Sequence, residues 1–499
     1  MVKPWVVQKF GGTSVGKFPE KITLDIVKLY AQSFKPVVVC SARSNDTKES
    51  GTTTRLLRAA EAALNEGDFY DAIEAIRSDH IAEAKNRIKN ETILNDLVEV
   101  INFECDTLEK FLTAAQVIDE ISPRTMDSIM SVGEKLSCEF MAAMMNDAGL
   151  KAQYVDLSKI VPLTYDATNG LDKDFYKFLT DKIVDAVCAV GEAIPVVTGF
   201  FGTVPGGLLN GVGRGYTDLC AALVAVGLGA DELQVWKEVD GIFTADPRKV
   251  PTARLIDRIT PEEAAELTYY GSEVIHPFTM EQVIRARIPI RIKNVMNPTG
   301  EGTVIFPDDT SNGIRSGEQT PLHPPERLMN TKTVHKLKLP TAVTTKQDIL
   351  VLNVHSNKKN QSHGFLARVF EILDKWKLVV DLISTSEVHV SMALHSTLPE
   401  SSLKDALVEI RKYGTVDVTR KMCIVSLVGK EMKHLVGIAG RMFTTLAEAN
   451  VNIEMISQGA SEINISCVIE AKDALKALNV LHQRLLCKVE EPPLMAAVH

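Results

Sequence analysis

The stretch WVVQKFGGTSVGKF (residues 5–18) joins an apolar run to a glycine-rich loop. Its first six residues are mostly β-branched or aromatic, which is typical of a buried strand. The loop begins like the nucleotide-binding pattern G-x-x-x-x-G-K-[ST], through Gly11, Gly16 and Lys17, but Phe18 stands where that pattern places a hydroxyl for Mg²⁺. The stretch is therefore a broken phosphate-binding pattern, a simple turn, or a phosphate site of another kind.

A second lysine, Lys9, favours the last of these interpretations. A strand, two glycines and a helix from about Gly16 would place backbone N–H groups at a helix N-terminus, which attracts phosphate. Lys9 would lie at the carboxyl end of the strand, where α/β sheets bind their ligands. The alternative is a tight strand-to-helix turn beside a solvated lysine.

Apolar β-branched runs alternate with helical patterns throughout residues 1–308. Examples of the runs are PVVVCSA (36–42), AIPVVTGF (193–200) and ELQVWKEV (232–239). This alternation predicts an α/β domain with a mostly parallel sheet. Residues 57–115 are more continuously helical, and they predict an added helical subdomain.

The rest of the chain contains a linker and an internal repeat. Residues 309–345 hold four prolines without sustained periodicity, which is typical of a linker. Beyond them, Gly364 matches Gly437 at an offset of 73 residues, and the surrounding apolar positions match at the same offset. Each copy reads as a βαββ run, so we expect two ferredoxin-like modules, at 346–418 and 419–491.

Composition excludes several classes of protein. A chain of 499 residues with 45% hydrophobic and 24% charged residues is typical of a globular protein with more than one domain. The formal charge of −9 gives no support for nucleic-acid binding. The eight cysteines form no C-x-x-C pair, and the longest apolar run, residues 219–230, is shorter than the roughly 20 residues of a membrane span. We expect a cytoplasmic protein with reduced cysteines and neither a nucleic-acid nor a membrane partner.

Two further stretches carry candidate polar residues. TGFFGTVPGGLLNGVGRGYTDLCAAL (198–223) again runs from a strand through a glycine-rich loop to a helix, with Arg214 and Asp218 near the start of the helix. VWKEVDGIFTADPRKV (235–250) ends in a turn that contains Arg248. The alternatives are a structural arginine–aspartate pair in the first stretch and a solvated arginine in the second.

Together these motifs resemble the aspartokinases, a branch of the amino-acid kinase family. KFGGTSVG (9–16), SVGEKLSC (131–138), GRGYTDLCAA (213–222), VDGIFTADPR (239–248) and GSEVIHP (271–277) occur in the family's order. The repeat resembles the paired regulatory ACT domains of that family. In detail the chain is most similar to the fungal, monofunctional enzymes.

The resemblance implies a fold and a reaction. The fold is an amino-acid kinase domain, with a mostly parallel sheet between helices, followed by two ferredoxin-like α+β ACT domains, the first completed by a late strand within residues 485–491. The implied reaction is ATP plus L-aspartate giving ADP plus 4-phospho-L-aspartate, with Mg²⁺, at the start of threonine and methionine biosynthesis. The acceptor carboxylate has a pKa near 4 and needs no general base. Homo-oligomers formed through the ACT domains are also implied.

The resemblance further implies site residues. Lys9 would hold the transferring phosphoryl group, Glu134 the substrate's ammonium and Arg214 a carboxylate, and no protein ligand of the metal is indicated. The expected catalytic and substrate-binding residues are Lys9, Asp218, Ser41, Thr54, Glu134, Arg214, Gly215 and Thr217. The expected nucleotide-binding residues are Gly11, Gly12, Thr13, Ser14, Lys237, Glu238, Phe243, Arg248, Glu273 and Val274. Relatives often carry Thr-Asp at 237–238 and Lys at 273, so these nucleotide contacts depart from the family's pattern.

The ACT repeat implies regulation by an amino acid, with threonine favoured over lysine. Its binding site would need donors for a carboxylate and acceptors for an ammonium group. The expected effector-binding residues are Gly364, Phe365, Leu366, Asp381, Thr385, Ser386, Asn452, Ile453 and Gln458. The alternative is that these polar residues only cap strands.

Two other functions remain open at this point. One is a kinase of the same fold that acts on glutamate, acetylglutamate or a nucleotide, against which the ACT repeat and GRGYTD argue. The other is an amino-acid sensor with an inactive kinase domain. Lys9, Glu134, Arg214 and Asp218 are all present, which argues against the sensor.

Overall fold

The computed structural model describes residues 3–44, 51–65, 67–162, 172–202, 204, 207–208, 215–269, 277–306, 339–356, 364–396, 400–459 and 463–487. The chain folds into two compact units. The first comprises Met1–Ile242, Asp257–Pro261 and Ile275–Asn330, and the second comprises Phe243–Ile256, Glu262–Val274 and Thr331–His499.

The first unit contains an eight-stranded sheet. Its strands are β1 (Trp5–Phe10), β2 (Lys35–Cys40), β3 (Ala152–Val155), β4 (Ile194–Thr198), β5 (Glu232–Lys237), β6 (Arg258–Ile259), β7 (Ile290–Asn294) and β8 (Thr303–Ile305). The order across the sheet is β3-β4-β2-β1-β5-β7-β8-β6. All neighbours are parallel except β7 and β8. The predicted α/β fold with a mostly parallel sheet is confirmed.

Helices of the first unit connect these strands. They are α1 (Gly12–Lys17), α2 (Lys28–Tyr30, preceded by π-helical Lys21–Val27), α3 (Thr52–Leu64), α4 (Tyr70–Arg87), α5 (Glu91–Ile118), α6 (Pro123–Asp147), α7 (Lys173–Cys188), α8 (Tyr216–Leu228) and α10 (Pro277–Arg285). Helix α9 (Pro261–Tyr269) belongs to the second unit from Glu262 onward. Helices α3 to α5 confirm the predicted helical subdomain. Helix α6 begins where the sequence signals a start, because the Ser122 hydroxyl accepts the Thr125 N–H and Pro123 takes the first helical position.

The sheet is buried on both faces. Phe10, Val38 and Trp236 join the apolar cluster that also contains the buried residues of α6. Val7 and Val39, which alternate with them, are equally buried. Side chains of a strand alternate between faces, so helices must cover the sheet on both sides. This explains why its strands are continuously apolar in the sequence.

The second unit contains a six-stranded antiparallel sheet. Its strands are β9 (Ala342–Ser356), β10 (Val380–Thr385), β11 (His389–His395), β12 (Gly414–Val428), β13 (Met455–Ser457) and β14 (Asn464–Glu470), in the order β10-β11-β9-β12-β14-β13. Its further helices are α11 (Phe365–Lys375), α12 (Glu400–Ile410), α13 (Ile438–Glu448) and α14 (Ala474–Leu481), with short 3-10 segments at Lys430–His434 and Ala471–Asp473. The long strands β9 and β12 pair along their whole length, so both halves of the sheet share them.

The predicted repeat is confirmed in the positions of its helices. Helices α11 and α13 have the same length and keep the offset of 73 residues. Gly364 and Gly437 precede them with φ of 78° and 82°, in the left-handed region that glycine adopts without strain. The equivalent apolar residues Leu373 and Leu446 are buried in their respective cores.

The limits of the two ACT modules remain predictions. Strand β9 begins at Ala342, within the predicted linker, and β12 runs across the predicted boundary between residues 418 and 419. Leu485 and Leu486 lie in the π-helical turn His482–Leu486 that follows α14, and residues 488–491 of the expected late strand lie outside the described residues.

The segment Phe243–Ile256 lies between β5 and β6 in the sequence but folds with the second unit. The Thr244 carbonyl accepts the Val343 N–H at 2.9 Å. The buried His482 ring lies 2.8 Å from the Thr244 hydroxyl and 3.2 Å from the Thr252 hydroxyl, one at each ring nitrogen. These contacts attach the segment to β9 and to the end of α14.

All eight cysteines are free, in agreement with the sequence. Within the described ranges, no helix has the length and apolar character that crossing a membrane requires.

His80 of α4 is buried, and its Nε2 lies 3.3 Å from the Thr52 hydroxyl oxygen. Burial, reinforced by the charges of Arg43 and Arg55, holds the pKa of His80 well below its usual value. The folded chain therefore keeps the ring neutral, whereas the unfolded chain protonates it near pH 6.5. The stability that depends on the neutral ring is present above that pH and is lost as the pH falls below it.

We expect His80→Gln to reduce the loss of stability that the wild type shows between pH 7 and pH 5.5. A proton that only the unfolded chain binds costs about 1.4 kcal/mol per pH unit. Midpoints of thermal unfolding at the two pH values measure the effect. His355→Gln, at an exposed position of the second unit, is the control. If the thermal midpoint of His80→Gln falls between pH 7 and pH 5.5 as much as that of the wild type, the neutral His80 ring is not the cause of the loss.

Candidate functional site

Four loops meet at one edge of the sheet in the first unit. Phe10, the last residue of β1, pairs with Cys40 of β2 and Trp236 of β5, and Cys40 pairs with Thr198 of β4. Because these strands are parallel, their carboxyl ends lie side by side, and the loops that follow them converge. Lys9 and Lys237 lie at the carboxyl ends of β1 and β5, whereas the predicted acceptor residues Thr54 and Glu134 lie on helices α3 and α6.

The first of these loops leads directly into α1. Gly12 opens this helix, and a Cβ there would lie 2.1 Å from the Ala42 carbonyl oxygen, so only glycine fits. The buried Ser14 hydroxyl donates to Glu238 Oε1 at 2.7 Å, which ties the loop after β1 to the loop after β5. Thr13 is half-buried and Lys17 is exposed. The loop therefore presents backbone rather than side chains at the strand edge.

Lys9 forms an ion pair with Asp218 in the first turn of α8. Its Nζ lies 2.7 Å from Asp218 Oδ1, with side-chain exposures of 13% and 18%. Lys9 is therefore not a solvated turn residue. An ammonium group has three donors, so one contact with a carboxylate leaves others for a second anion.

Glu134 of α6 is a buried carboxylate near this pair. Its Oε1 accepts the Thr217 hydroxyl at 2.6 Å, while its buried Oε2 has no hydrogen-bond partner in the described part of the chain. Burial raises the pKa of Glu134 to about 7, although hydrogen bonding to Thr217, to the Phe200 backbone and to Tyr216, together with the charge of Lys9, acts in the opposite direction. An unpaired buried oxygen costs free energy, and an arriving cation would satisfy it.

Gly199, directly after β4, makes room for this contact. A Cβ at that position would lie 2.4 Å from the Thr217 methyl carbon. The glycine therefore lets the start of α8 approach β4 closely enough for Thr217 to reach Glu134.

For the remaining predicted acceptor residues, the structure shows the position in the fold but fewer side-chain contacts. Ser41 is half-buried directly after β2, and its N–H donates to the Phe10 carbonyl at 3.1 Å. Thr54 is half-buried in the first turn of α3. Gly215 is the N-cap of α8. Arg214 lies outside the described residues.

The predicted nucleotide residues fall in both units. Lys237 ends β5 and is half-buried, and the exposed Glu238 follows it. Phe243 and Arg248 belong to the second unit, where Arg248 is 87% exposed and contacts Asp246 at 3.0 Å. Hydrogen bonding to Arg248 lowers the pKa of Asp246. Glu273 and Val274 lie outside the described residues.

The predicted effector residues lie at equivalent places in the two copies of the repeat. In the first copy, Phe365 is buried and Leu366 half-buried in the first turn of α11, and Thr385 and Ser386 are exposed at the end of β10. In the second copy, Asn452 and Gln458 are exposed and Ile453 packs against the core. The edge strands β10 and β13 approach each other, and Leu382 and Met455 share one apolar cluster.

Asp381 has a partner that the sequence did not indicate. Lys346 Nζ lies 2.7 Å from Asp381 Oδ1 and also 5.4 Å from the centre of the Tyr269 ring. The Asp381 side chain is 5% exposed. An effector's ammonium group would therefore share this carboxylate with Lys346.

Asp127 is a site-facing residue that sequence reasoning missed. It lies on α6, two helical turns before Glu134, and is equally buried. Its Oδ2 accepts the Leu208 N–H at 2.6 Å, within the second glycine-rich stretch. The available signal was the spacing of seven residues, which places Asp127 on the same face of α6 as Glu134, since a buried charge requires a partner.

Comparison with known proteins identifies the family. Residues 4–294 match the amino acid kinase family, and residues 425–485 match an ACT domain. The aspartokinase of Candida albicans is 61% identical over 97% of this chain and 90% of its own length. That of Saccharomyces cerevisiae is also 61% identical, over 97% and 93%.

A solved structure shows the same architecture. Escherichia coli aspartokinase III in complex with aspartate and ADP superposes with a TM-score of 0.70 at 28% identity, over 97% of this chain and 100% of the other. Together with the fungal relatives, which align over nearly their full length, this establishes what the motifs and the fold predicted. The chain belongs to the aspartokinases, within the amino acid kinase family.

Proposed function

We propose that this chain transfers the γ-phosphoryl group of ATP to the β-carboxylate of L-aspartate, giving ADP and 4-phospho-L-aspartate. The observation that carries the proposal is that Lys9, at the end of β1, lies close enough to the buried Glu134 of α6 for its charge to lower the pKa of that carboxyl. Glu134 offers a buried, unpaired oxygen to an ammonium group, and Lys9 offers a cation to a phosphoryl group. An amino-acid substrate with a second carboxylate would use both groups: its ammonium would bind Glu134, and its second carboxylate would accept the phosphoryl group held by Lys9.

The chemistry requires charge neutralisation rather than proton transfer. The acceptor carboxylate is already ionised at neutral pH, so no general base is needed. The difficulty is that an anion must approach a polyanion, and catalysis then depends on positioning and on fixed positive charge. Lys9 supplies that charge, and Asp218 fixes its position. ATP would bind with Mg²⁺, whose ligands would be mainly phosphate and water oxygens and which would neutralise part of the phosphate charge.

Known relatives support the choice of substrates. Escherichia coli aspartokinase III has been solved with aspartate and ADP, and again with lysine and aspartate. The fungal relatives are also aspartokinases. By the same reasoning, this chain begins the biosynthesis of threonine and methionine, in the cytoplasm, as a homo-oligomer formed through its ACT domains.

The deciding experiment measures ADP release from ATP with aspartate, glutamate and acetylglutamate as acceptors. We expect turnover with aspartate and little with the others. Turnover with another acceptor would indicate a different kinase of the same fold. Amino-acid binding without any aspartate-dependent turnover would indicate a sensor.

We expect Lys9→Met to lower kcat by about 10²–10³, because one preorganised charge contact to the transition state contributes roughly 3–4 kcal/mol. The coupled ADP assay measures the change, and circular dichroism checks the fold. Lys17→Met, an exposed lysine of the same loop, is the matched control and should stay near wild type. Activity of Lys9→Met within a few-fold of wild type would assign Lys9 a purely structural role.

We expect Glu134→Gln to raise KM for aspartate while KM for ATP hardly changes, because the amide binds an ammonium group more weakly. The pKa of Glu134 is about 7, so its carboxylate is protonated below that pH and ionised above it. Wild-type KM for aspartate should therefore rise as the pH falls from 8 to 6, and that rise should disappear in the variant. An equal effect on both substrates would place Glu134 in the nucleotide site.

Regulation by a free amino acid, with threonine preferred, completes the proposal. An effector inhibits only if it binds the inactive arrangement better than the active one. The exposed hydroxyls of Thr385 and Ser386 at the end of β10, and the exposed amides of Asn452 and Gln458 in the second copy, are suited to a small polar ligand. Lysine occupies the second Escherichia coli structure, which makes it the competing candidate.

We expect Thr385→Ile to raise the threonine concentration for half-inhibition by about tenfold, a loss of roughly 1.4 kcal/mol, with kcat nearly unchanged. Asp381→Ala should act in the same direction, although it also leaves Lys346 without its carboxylate. Thr415→Ile, an exposed threonine on β12, is the matched control. If both variants keep wild-type sensitivity, the effector site lies elsewhere, and if only lysine inhibits the wild type, the effector is lysine.

A further inference from the structure

The short strap Ala42–Ser44, directly after Ser41, lies against the phosphate loop. Cβ atoms at Gly12 and Gly16 would lie 2.1 Å from the Ala42 carbonyl oxygen and 2.2 Å from the Ser44 carbonyl oxygen. The Ser44 N–H also donates to the Gly12 carbonyl at 3.0 Å. Since there is no space between the two backbones, a displaced strap would displace the loop.

Arg43 anchors this strap through three groups. Its N–H donates to the Ser137 hydroxyl of α6 at 2.7 Å, and its carbonyl accepts the Thr52 N–H of α3 at 3.1 Å. Its guanidinium leaves the strand edge and contacts Asp79 Oδ2 of α4 at 2.6 Å, with Glu83 Oε2 at 3.8 Å. The side chain is only 3% exposed.

The contacts of Arg43 suggest what the helical subdomain contributes. Burial lowers the pKa of Arg43, and the charges of Asp79 and Glu83 oppose that shift, so α4 stabilises a cation that would otherwise be costly to bury. The neighbouring His80 contacts Thr52, beyond the far end of the strap. Two adjacent residues of α4 thus make these contacts: Asp79 contacts Arg43 within the strap, and His80 contacts Thr52 beyond it.

We propose that Arg43 is a positioning residue for phosphoryl transfer, and that α4 acts on the reaction by holding it. Arg43 touches none of the reacting groups named above. It acts through the strap on the backbone of Gly12, where the nucleotide phosphates are expected. The inference rests on the proposed role of that loop.

The test compares Arg43→Met, Arg43→Lys and Asp79→Asn with Arg77→Met. Arg77 also lies on α4 and also pairs with two carboxylates, Glu74 and Asp106, but it joins α4 to α5. Each variant is assayed for kcat, for KM of aspartate and for the Kd of ADP by calorimetry, well below its thermal midpoint.

We expect Arg43→Met to lower kcat about tenfold and to weaken ADP binding about fivefold, with KM for aspartate within threefold of wild type. Arg43→Lys should recover part of both losses because it restores the charge. Asp79→Asn should show a smaller loss of kcat and of ADP affinity. The double variant Arg43→Met/Asp79→Asn should lose no more kcat or ADP affinity than Arg43→Met alone. Arg77→Met should lower only the thermal midpoint.

Other results overturn the inference. If Arg43→Met loses thermal stability but keeps kcat and ADP affinity within twofold of wild type, Arg43 is purely structural. If Arg43→Met does not fold, unchanged kinetics in Asp79→Asn lead to the same conclusion. If the losses of kcat and ADP affinity in the double variant are the two single-variant losses combined, Asp79 and Arg43 act independently, and α4 does not act on the reaction through Arg43. A wild type without aspartate-dependent turnover rejects the proposed function instead, and ADP affinity then still tests Arg43.

Discussion

Charge balance around Lys9 is the constraint on which the site depends. The lysine is largely buried and is neutralised by Asp218, while Glu134 lies close enough for the charge of Lys9 to lower its pKa. Burial nevertheless raises that pKa to about 7, so the ionised carboxylate is destabilised until a cation arrives. Glu134 therefore has an unsatisfied acceptor, which the proposed function assigns to the ammonium group of the substrate. In that proposal, recognition of the amine and neutralisation of the phosphoryl group are parts of one electrostatic arrangement.

The fold serves this arrangement by letting backbones approach closely. Parallel strands bring the ends of β1, β2, β4 and β5 to one edge, and glycines without side chains let the segments near these ends approach closely. The missing side chain at Gly12 leaves room for the Ala42 carbonyl, and the missing side chain at Gly199 leaves room for Thr217. Gly12 and Gly16, which first suggested a nucleotide-binding loop, are therefore needed for contact between backbone segments. Phe18, where a classical phosphate loop has a hydroxyl, packs against the apolar core instead.

Local patterns predicted the elements, whereas long-range partners could not be predicted. The apolar run 36–42 became β2, and the repeat correctly located the glycines that precede α11 and α13, because periodicity and glycine conformation are local properties. Lys9 and Glu134 were proposed as site residues because family motifs surround them, and the structure largely buries both side chains near Asp218 and Thr217. Arg43 was missed because its partners lie 36 and 40 residues away on a helix whose position only the tertiary fold determines. The Lys346–Asp381 pair was missed for the same reason.

Folding of Phe243–Ile256 with the second unit is a long-range property of the chain. The segment leaves β5, whose end carries Lys237, and is then fixed by His482, Val343 and the core around α13 and α14. It also carries Phe243 and Arg248, for which the family resemblance implies nucleotide contacts. The conformation of this segment is therefore set by the core of the second unit rather than by β5 and β6, between which it lies in the sequence. Local sequence patterns could not predict this, because the partners of the segment lie about 100 to 240 residues further along the chain.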